Sequence, residues 1–210
     1  MDIRLKNNEV ALVGHVLFPL FLTSPADDAL RESFSVWADR SREVESSWPF
    51  GLADGVAEAF SLIREGAKDG VTEEVLAEYR RVLQGPAHLE AAPWGSVYSD
   101  RDGVVFGNST VDLMRWMACS GIDFSYGSNV AIDHVGLMLA LMAWIADRKP
   151  ELLEEFLGEY FLPWVFRYAE LLEKAARHPF YQGLAKLLGV TLEGMRVECG
   201  IPVASVRLYR

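Results

Sequence analysis

The sequence predicts an all-α fold, and two observations predict it. Apolar residues recur at helical spacing instead of alternating, and Ser, Thr, Pro and Gly stand where helices start and stop. No repeat period or low-complexity segment interrupts that pattern. The first apolar run, Val10 to Leu22, ends in Thr23-Ser24-Pro25-Ala26 and looks superficially like a secretory signal. Asp2, Arg4, Lys6 and Glu9 sum to zero rather than to a positive start, and His15 and Pro19 break the run, so an internal first helix is expected.

Ser24 with Pro25 opens a second helix through about Ala38, and Leu52 to Gly66 forms another with Val56, Phe60 and Ile63 on one side. Thr72 caps Glu73 to Leu83. Ser109 opens a helix to Ser120, stopped by Gly121, and Ser128 or Asn129 opens one to Arg148. Its stretch Val135 to Ala146 is too short to span a bilayer and reads as a buried helix. Pro150 starts the next helix, Pro163 breaks or kinks it, and Pro179 starts the last, to about Glu198.

The chain has 210 residues, 50% of them apolar, which suits one domain or two closely packed subdomains. A net charge of −10 disfavours nucleic acid or an anionic membrane face and favours basic partners. Cys119 and Cys199 follow no metal spacing and imply no disulfide framework, so a reducing cytoplasm fits.

Pro93 to Met117 is the most informative stretch. Trp94, Tyr98, Asp100, Arg101 and Asp102 sit beside Gly95, Gly103 and Gly107, which describes a recognition surface better than a catalytic centre. Ser109 is expected to cap the following helix, with Asp112 favouring its positive end. No G-x-S-x-G, H-E-x-x-H, Walker A or G-x-G-x-x-G context occurs. Of His15, His88, His134 and His178, only His134 has an acidic neighbour, Asp133. Adjacent helix residues do not face each other, so this pair forms no dyad within a helix but can share one partner at a groove; the bland reading is that Asp133 complements a helix dipole.

Glu151, Glu155 and Glu159, with Glu154 beside them, form either a solvated face or an acidic stripe awaiting an arginine-bearing peptide. Leu137, Met138, Leu141, Met142 and Trp144 read as core before they read as a plastic groove.

Trp94-Gly95-Ser96-Val97-Tyr98, Asp100-Arg101, Val105-Phe106-Gly107 and Ser109-Thr110 resemble the central loop of one family. Downstream, Arg115-Trp116-Met117, Asp133-His134 with Met142-Ala143-Trp144, Phe161-Leu162-Pro163-Trp164, His178-Pro179-Phe180-Tyr181 and Ile201-Pro202-Val203-Ala204 match it in order. From about Gly85 onward the chain is similar to the TorD/DmsD family of redox-enzyme maturation chaperones.

That resemblance implies a single multi-helix bundle of roughly nine to eleven helices over residues 1–210, with 1–120 and 121–210 as halves. It implies a cytoplasmic chaperone, transiently at the inner membrane face, that binds the twin-arginine leader of a molybdoenzyme catalytic subunit, typically of dimethyl sulfoxide reductase, before Tat export. It is expected to hold rather than convert its client, with Tat translocase components as further partners. Such a leader is cationic and then apolar, so its receptor needs an acidic rim beside an apolar groove.

Carried over by position, the leader-binding surface is Tyr79, Val82 and Leu83, then Trp94, Gly107, Asp133 and His134. The family's usual Glu-Pro before Asp-His is Val130-Ala131 here, and an aromatic after Gly-Pro is Ala87, so leader preference is expected to differ. Some members are reported to bind guanine nucleotides, yet nothing here cradles phosphate and no cofactor or metal is assigned; the family also includes domain-swapped dimers, and a monomer is expected. Two other classes compete with this one. One is a small all-α metal-dependent hydrolase using Asp133, His134 and Asp100 or Asp123, which lacks histidine ligand spacing. The other is a helical DNA-binding regulator, which conflicts with the acidity.

Overall fold

Helices make up most of the described chain, as the periodicity predicts. The computed structural model describes residues 2–85, 89–127 and 130–210, and among them no strand forms, only an isolated antiparallel bridge between Trp94 and His134. The first helices are α1 (Asn7–Leu22), α2 (Asp28–Asp39), α3 (Ser41–Ser46), α4 (Ala53–Ala67) and α5 (Glu73–Tyr79). They are followed by α6 (Ser96–Ser99), α7 (Asn108–Cys119), α8 (Val135–Arg148), α9 (Leu153–Glu155), α10 (Leu162–Ala175) and α11 (Pro179–Cys199). Two π-helical segments, Arg80–Gln84 and Phe156–Phe161, follow α5 and α9.

The chain divides into two units, each drawing on sequence from both sides of residue 120: unit 1 is Met1–Phe18, Pro93–Phe166 and Glu198–Arg210, and unit 2 is Pro19–Ala92 and Arg167–Val197. Unit 2 is built on aromatic packing. Phe34 stacks on Phe180 with ring centroids 4.4 Å apart, and the Trp48 ring stands edge-on to Phe60 while its indole N–H donates to Thr191 Oγ1 at 2.8 Å. α2 starts at Asp28 rather than at Ser24. Asp27 accepts from the Ala29 N–H at 3.1 Å, whereas Ser24 closes a local turn by accepting from the Ala26 N–H. Thr72 caps α5 as expected, accepting from the Val75 N–H.

Glu78, on the last turn of α5, is buried. Its carboxylate takes a two-pronged bond from Arg81 at 2.7 and 2.8 Å and also accepts the backbone N–H groups of Arg177 and His178. Burial pushes this carboxyl up, but Arg81 and the two backbone donors outweigh it and hold it below the usual range. Glu78→Gln is therefore expected to cost about 1–2 kcal/mol, read as a lower urea midpoint at pH 7. A depressed carboxyl stabilises above its free value near 4.5 and loses that contribution as pH falls, so the gap between variant and parent should narrow below pH 4.

In unit 1, α8 is apolar all round: Leu137, Met138, Leu141 and Met142 are buried, so this cluster is core, and Trp144 at its margin carries the Arg148 guanidinium 5.5 Å over its ring. α7 ends in a Schellman motif, with Ile122 N–H donating to Met117 O and Gly121 N–H to Ala118 O; Gly121 sits at φ +61°, the left-handed conformation that closes this motif.

Three expectations change in unit 1. α8 starts at Val135, not at Ser128 or Asn129, which lie outside the described residues; Ala131 to His134 form a turn closed by His134 N–H donating to Ala131 O. Pro150 opens a 3-10 turn, Pro150–Leu152. Pro163 does not end the helix: it is the second residue of α10, which continues from the π-helical segment Phe156–Phe161, so the hydrogen-bond pattern changes just before the proline.

Candidate functional site

The site grows from the turn ahead of α8. Gly95 N–H donates to Asp133 O at 3.0 Å, Ser96 N–H donates to Asp133 Oδ2 at 2.8 Å, and Val135 N–H donates to Pro93 O at 2.7 Å. Asp133 thus places its carboxylate at the start of the single turn α6, where backbone N–H groups are free to receive it. His134 is the N-cap of α8, its Nδ1 accepting from the Gly136 N–H at 3.1 Å. Its ring stands edge-on to Trp94, with centroids 5.5 Å apart. Burial alone pulls the imidazole down to about 4, so at neutral pH it is uncharged, with the proton assigned to Nε2 because Nδ1 accepts.

Asp133 and His134, only 4% and 5% exposed, do not share a partner; each holds a different backbone N–H. They lie in a turn, not on a helix face, which corrects the sequence reading of the pair.

Asp100, rather than Ser109, fixes the exit of the loop. Its carboxylate accepts both the backbone N–H and the hydroxyl of Ser109, at 3.0–3.2 Å, and so caps α7 from a distance of nine residues. Gly107 is seated against that carboxylate, and a Cβ there would collide with Asp100 Oδ2. Asp112 lies beyond the first turn of α7 and pairs with Arg115 at 2.7 Å instead of meeting the dipole.

A cavity of about 170 Å³ opens beside this turn within unit 1. Asp133, Asp112 and Glu159 contribute three carboxylates to its wall, and Tyr160, Trp164, Leu113, Pro163 and Val206 contribute apolar surface. The Tyr160 phenol is pushed up by burial first, then by the negative charges of Glu155, Glu159 and Asp112, which records the sign of the local field. Asp133 Oδ1 is buried and takes no hydrogen bond from the protein.

Glu159 is the member of the acidic series that reaches the cavity. Glu151, Glu154 and Glu155 are exposed on the 3-10 turn and α9, so the helix is not regular enough to align one stripe. Glu159 belongs to the series whose sharper reading is an acidic stripe for an arginine-bearing peptide, whereas Tyr160 carries no sequence signal of its own beyond the neighbouring Phe161-Leu162-Pro163-Trp164.

The expected binding residues fall in two places. Trp94, Asp133 and His134 are joined in unit 1, with Gly107 on the Asp100 capping turn; Tyr79, Val82 and Leu83 belong to unit 2, where they are buried. Tyr79 donates its hydroxyl to Leu22 O at 3.3 Å. His88 and Ala87 lie outside the described residues.

A hydrolytic constellation finds no support here. His134 is committed to a cap, Asp100 to α7, and Asp123 is exposed. Among the described residues, no group of three or more His, Cys, Asp or Glu could hold a metal ion, and no helix is long and apolar enough to cross a membrane.

Comparison with known proteins adds three findings. The family described as nitrate reductase delta subunit matches residues 51–170. The chain is 34% identical over 204 residues, 96% of its length and 97% of the relative's, to a probable Tat proofreading chaperone DmsD of Haemophilus influenzae. It is 35% identical over 208 residues, 98% of both chains, to the Tat proofreading chaperone DmsD of Salmonella typhimurium, and 24% identical over 55% of its length to the chaperone protein TorD of Vibrio vulnificus.

Proposed function

The chain belongs to the nitrate reductase delta subunit family, that of the TorD/DmsD chaperones, and from that premise we propose that it binds the twin-arginine signal peptide of a molybdoenzyme catalytic subunit. The client is dimethyl sulfoxide reductase or a relative of it, and the chaperone supports its maturation and proofreading in the cytoplasm before Tat export. It acts as a monomer without cofactor, holds its client without converting it, and passes transiently by the inner membrane face and the Tat translocase.

One observation of the structure carries the reading. The cavity beside Asp133 joins three carboxylates to an aromatic and apolar wall in a chain of net charge −10. A leader with an arginine pair before an apolar run offers the complementary surface, and the long-range field speeds its encounter at low salt. Asp133, Asp112 and Glu159 meet the cations; Trp94, with His134 behind it, and Gly107 shape the approach; Tyr79, Val82 and Leu83 are leader contacts by their position in the family motif alone.

Calorimetric titration with a synthetic leader tests this. Changing both arginines to alanine is expected to raise Kd at least about tenfold, the equivalent of one lost charge-assisted contact, and scrambling the apolar run should weaken binding as well. An intact leader that gives no heat and no competition sinks the proposal.

A further inference from the structure

Beyond α11 the chain turns at Gly200 (φ +66°) and runs without helix or strand along unit 1 to Arg210. Ile201 is buried, and the Pro202 carbonyl lies so close to Gly158 that a Cβ there would collide with it. Gly158 belongs to the π-helical segment, and its carbonyl accepts the Ala204 N–H at 2.9 Å. Farther on, Tyr209 N–H donates to Tyr98 O, also at 2.9 Å. Between these two anchors, Val206 forms part of the wall of the Asp133 cavity.

The composition of this segment is opposite to that of the chain. No acidic residue falls between Cys199 and Arg210, while Arg207 and Arg210 alternate with Val206, Leu208 and Tyr209. A short cationic and apolar segment therefore runs past an acidic and apolar cavity and gives it Val206, while the Arg207 guanidinium lies 5.2 Å over the Tyr209 ring; its composition is the chemistry assigned above to the leader. Its apolar side chains are thinly covered. Val203, Val206 and Tyr209 remain substantially exposed, in contrast to the buried Ile201.

We propose that residues 203–210 are a displaceable strap, an internal competitor that covers part of the leader's place at the Asp133 cavity and is expelled when a leader binds. The inference rests on the leader-binding reading. In physical terms the strap reduces apparent affinity by the fraction of molecules in which it is open, and it sets a threshold that a weakly matched, less cationic peptide fails to pass.

Two variants and one further measurement decide it. A chain ending at Pro202 keeps the Ile201 and Pro202 contacts, and full-length Tyr209→Pro removes the N–H that Tyr98 accepts. Both are titrated with a synthetic peptide carrying an arginine pair and an apolar run of roughly ten residues, and both should bind it about tenfold more tightly than the parent. In the parent, saturating peptide should raise amide exchange at Ala204 and Tyr209.

If the parent binds the peptide but neither variant gains affinity and both amides keep their protection, the segment is a fixed wall and the inference is wrong, while the leader-binding reading stands. If the shortened chain is unfolded by circular dichroism, Tyr209→Pro and the exchange result decide the matter. If parent and variants alike fail to bind, the leader-binding reading falls, and the competitor role falls with it.

Discussion

Asp133→Ala is expected to weaken leader binding at least about tenfold and to lower stability by about 2–3 kcal/mol, because the substitution removes two things together. It takes a charge from the cavity wall, and it strands the Ser96 N–H at the head of α6, a buried donor whose acceptor lies at 2.8 Å. Helical circular dichroism at 25 °C should persist, since such a loss is within the reserve of an ordinary domain, but the urea midpoint should fall. Asp133→Asn separates the two effects. An amide oxygen can still accept from Ser96, so stability should return to within about 1 kcal/mol of the parent while binding stays weak. If the asparagine variant binds like the parent, the carboxylate charge is not what recognises the leader.

Acidification is expected to reduce stability through His134. The free imidazole titrates near 6.5 and the buried one near 4, so between these values the unfolded chain takes up a proton that the native chain refuses. A group whose folded value is depressed stabilises above its unfolded value and loses that contribution as pH falls; the loss here begins near pH 6.5 and reaches roughly 3 kcal/mol by pH 4.

His178, half-buried, is lowered as well, by burial foremost, and acts in the same direction. His134→Asn isolates the first residue, because asparagine caps the Gly136 N–H without titrating. Urea midpoints measured from pH 7 to 4 should fall much less steeply in this variant. Parallel curves for parent and variant would mean that His134 takes up its proton without cost in the folded state.

The positions and lengths of the long helices were legible because their causes are local. Thr72 stands one residue before a run of good helix formers, and Gly121 can adopt the positive φ that a Schellman motif needs. Val135 to Ala146 is apolar on every face and could only be buried. The short helices α3 and α6 left no signal, since four to six residues are too few to show a period.

The candidate site was legible in part, and through resemblance more than through chemistry. Asp133, His134 and Trp94 were named from matched motifs, but nothing in their spacing told that Asp133 receives Ser96 or that His134 caps α8 in place of facing a ligand. The same limit explains Ser109, where a local cap was the reasonable expectation and a carboxylate nine residues away fills that role.

The sequence by itself determined an all-α chain, its acidity, its family and the residues around which the candidate site is built. The tertiary structure alone decided that Glu159, Tyr160 and Val206, remote from Asp133 along the chain, enclose one cavity with it. Helix formation follows from residues three and four apart, whereas a cavity wall follows from side chains that meet only after the helices have packed, and no spacing rule spans that distance.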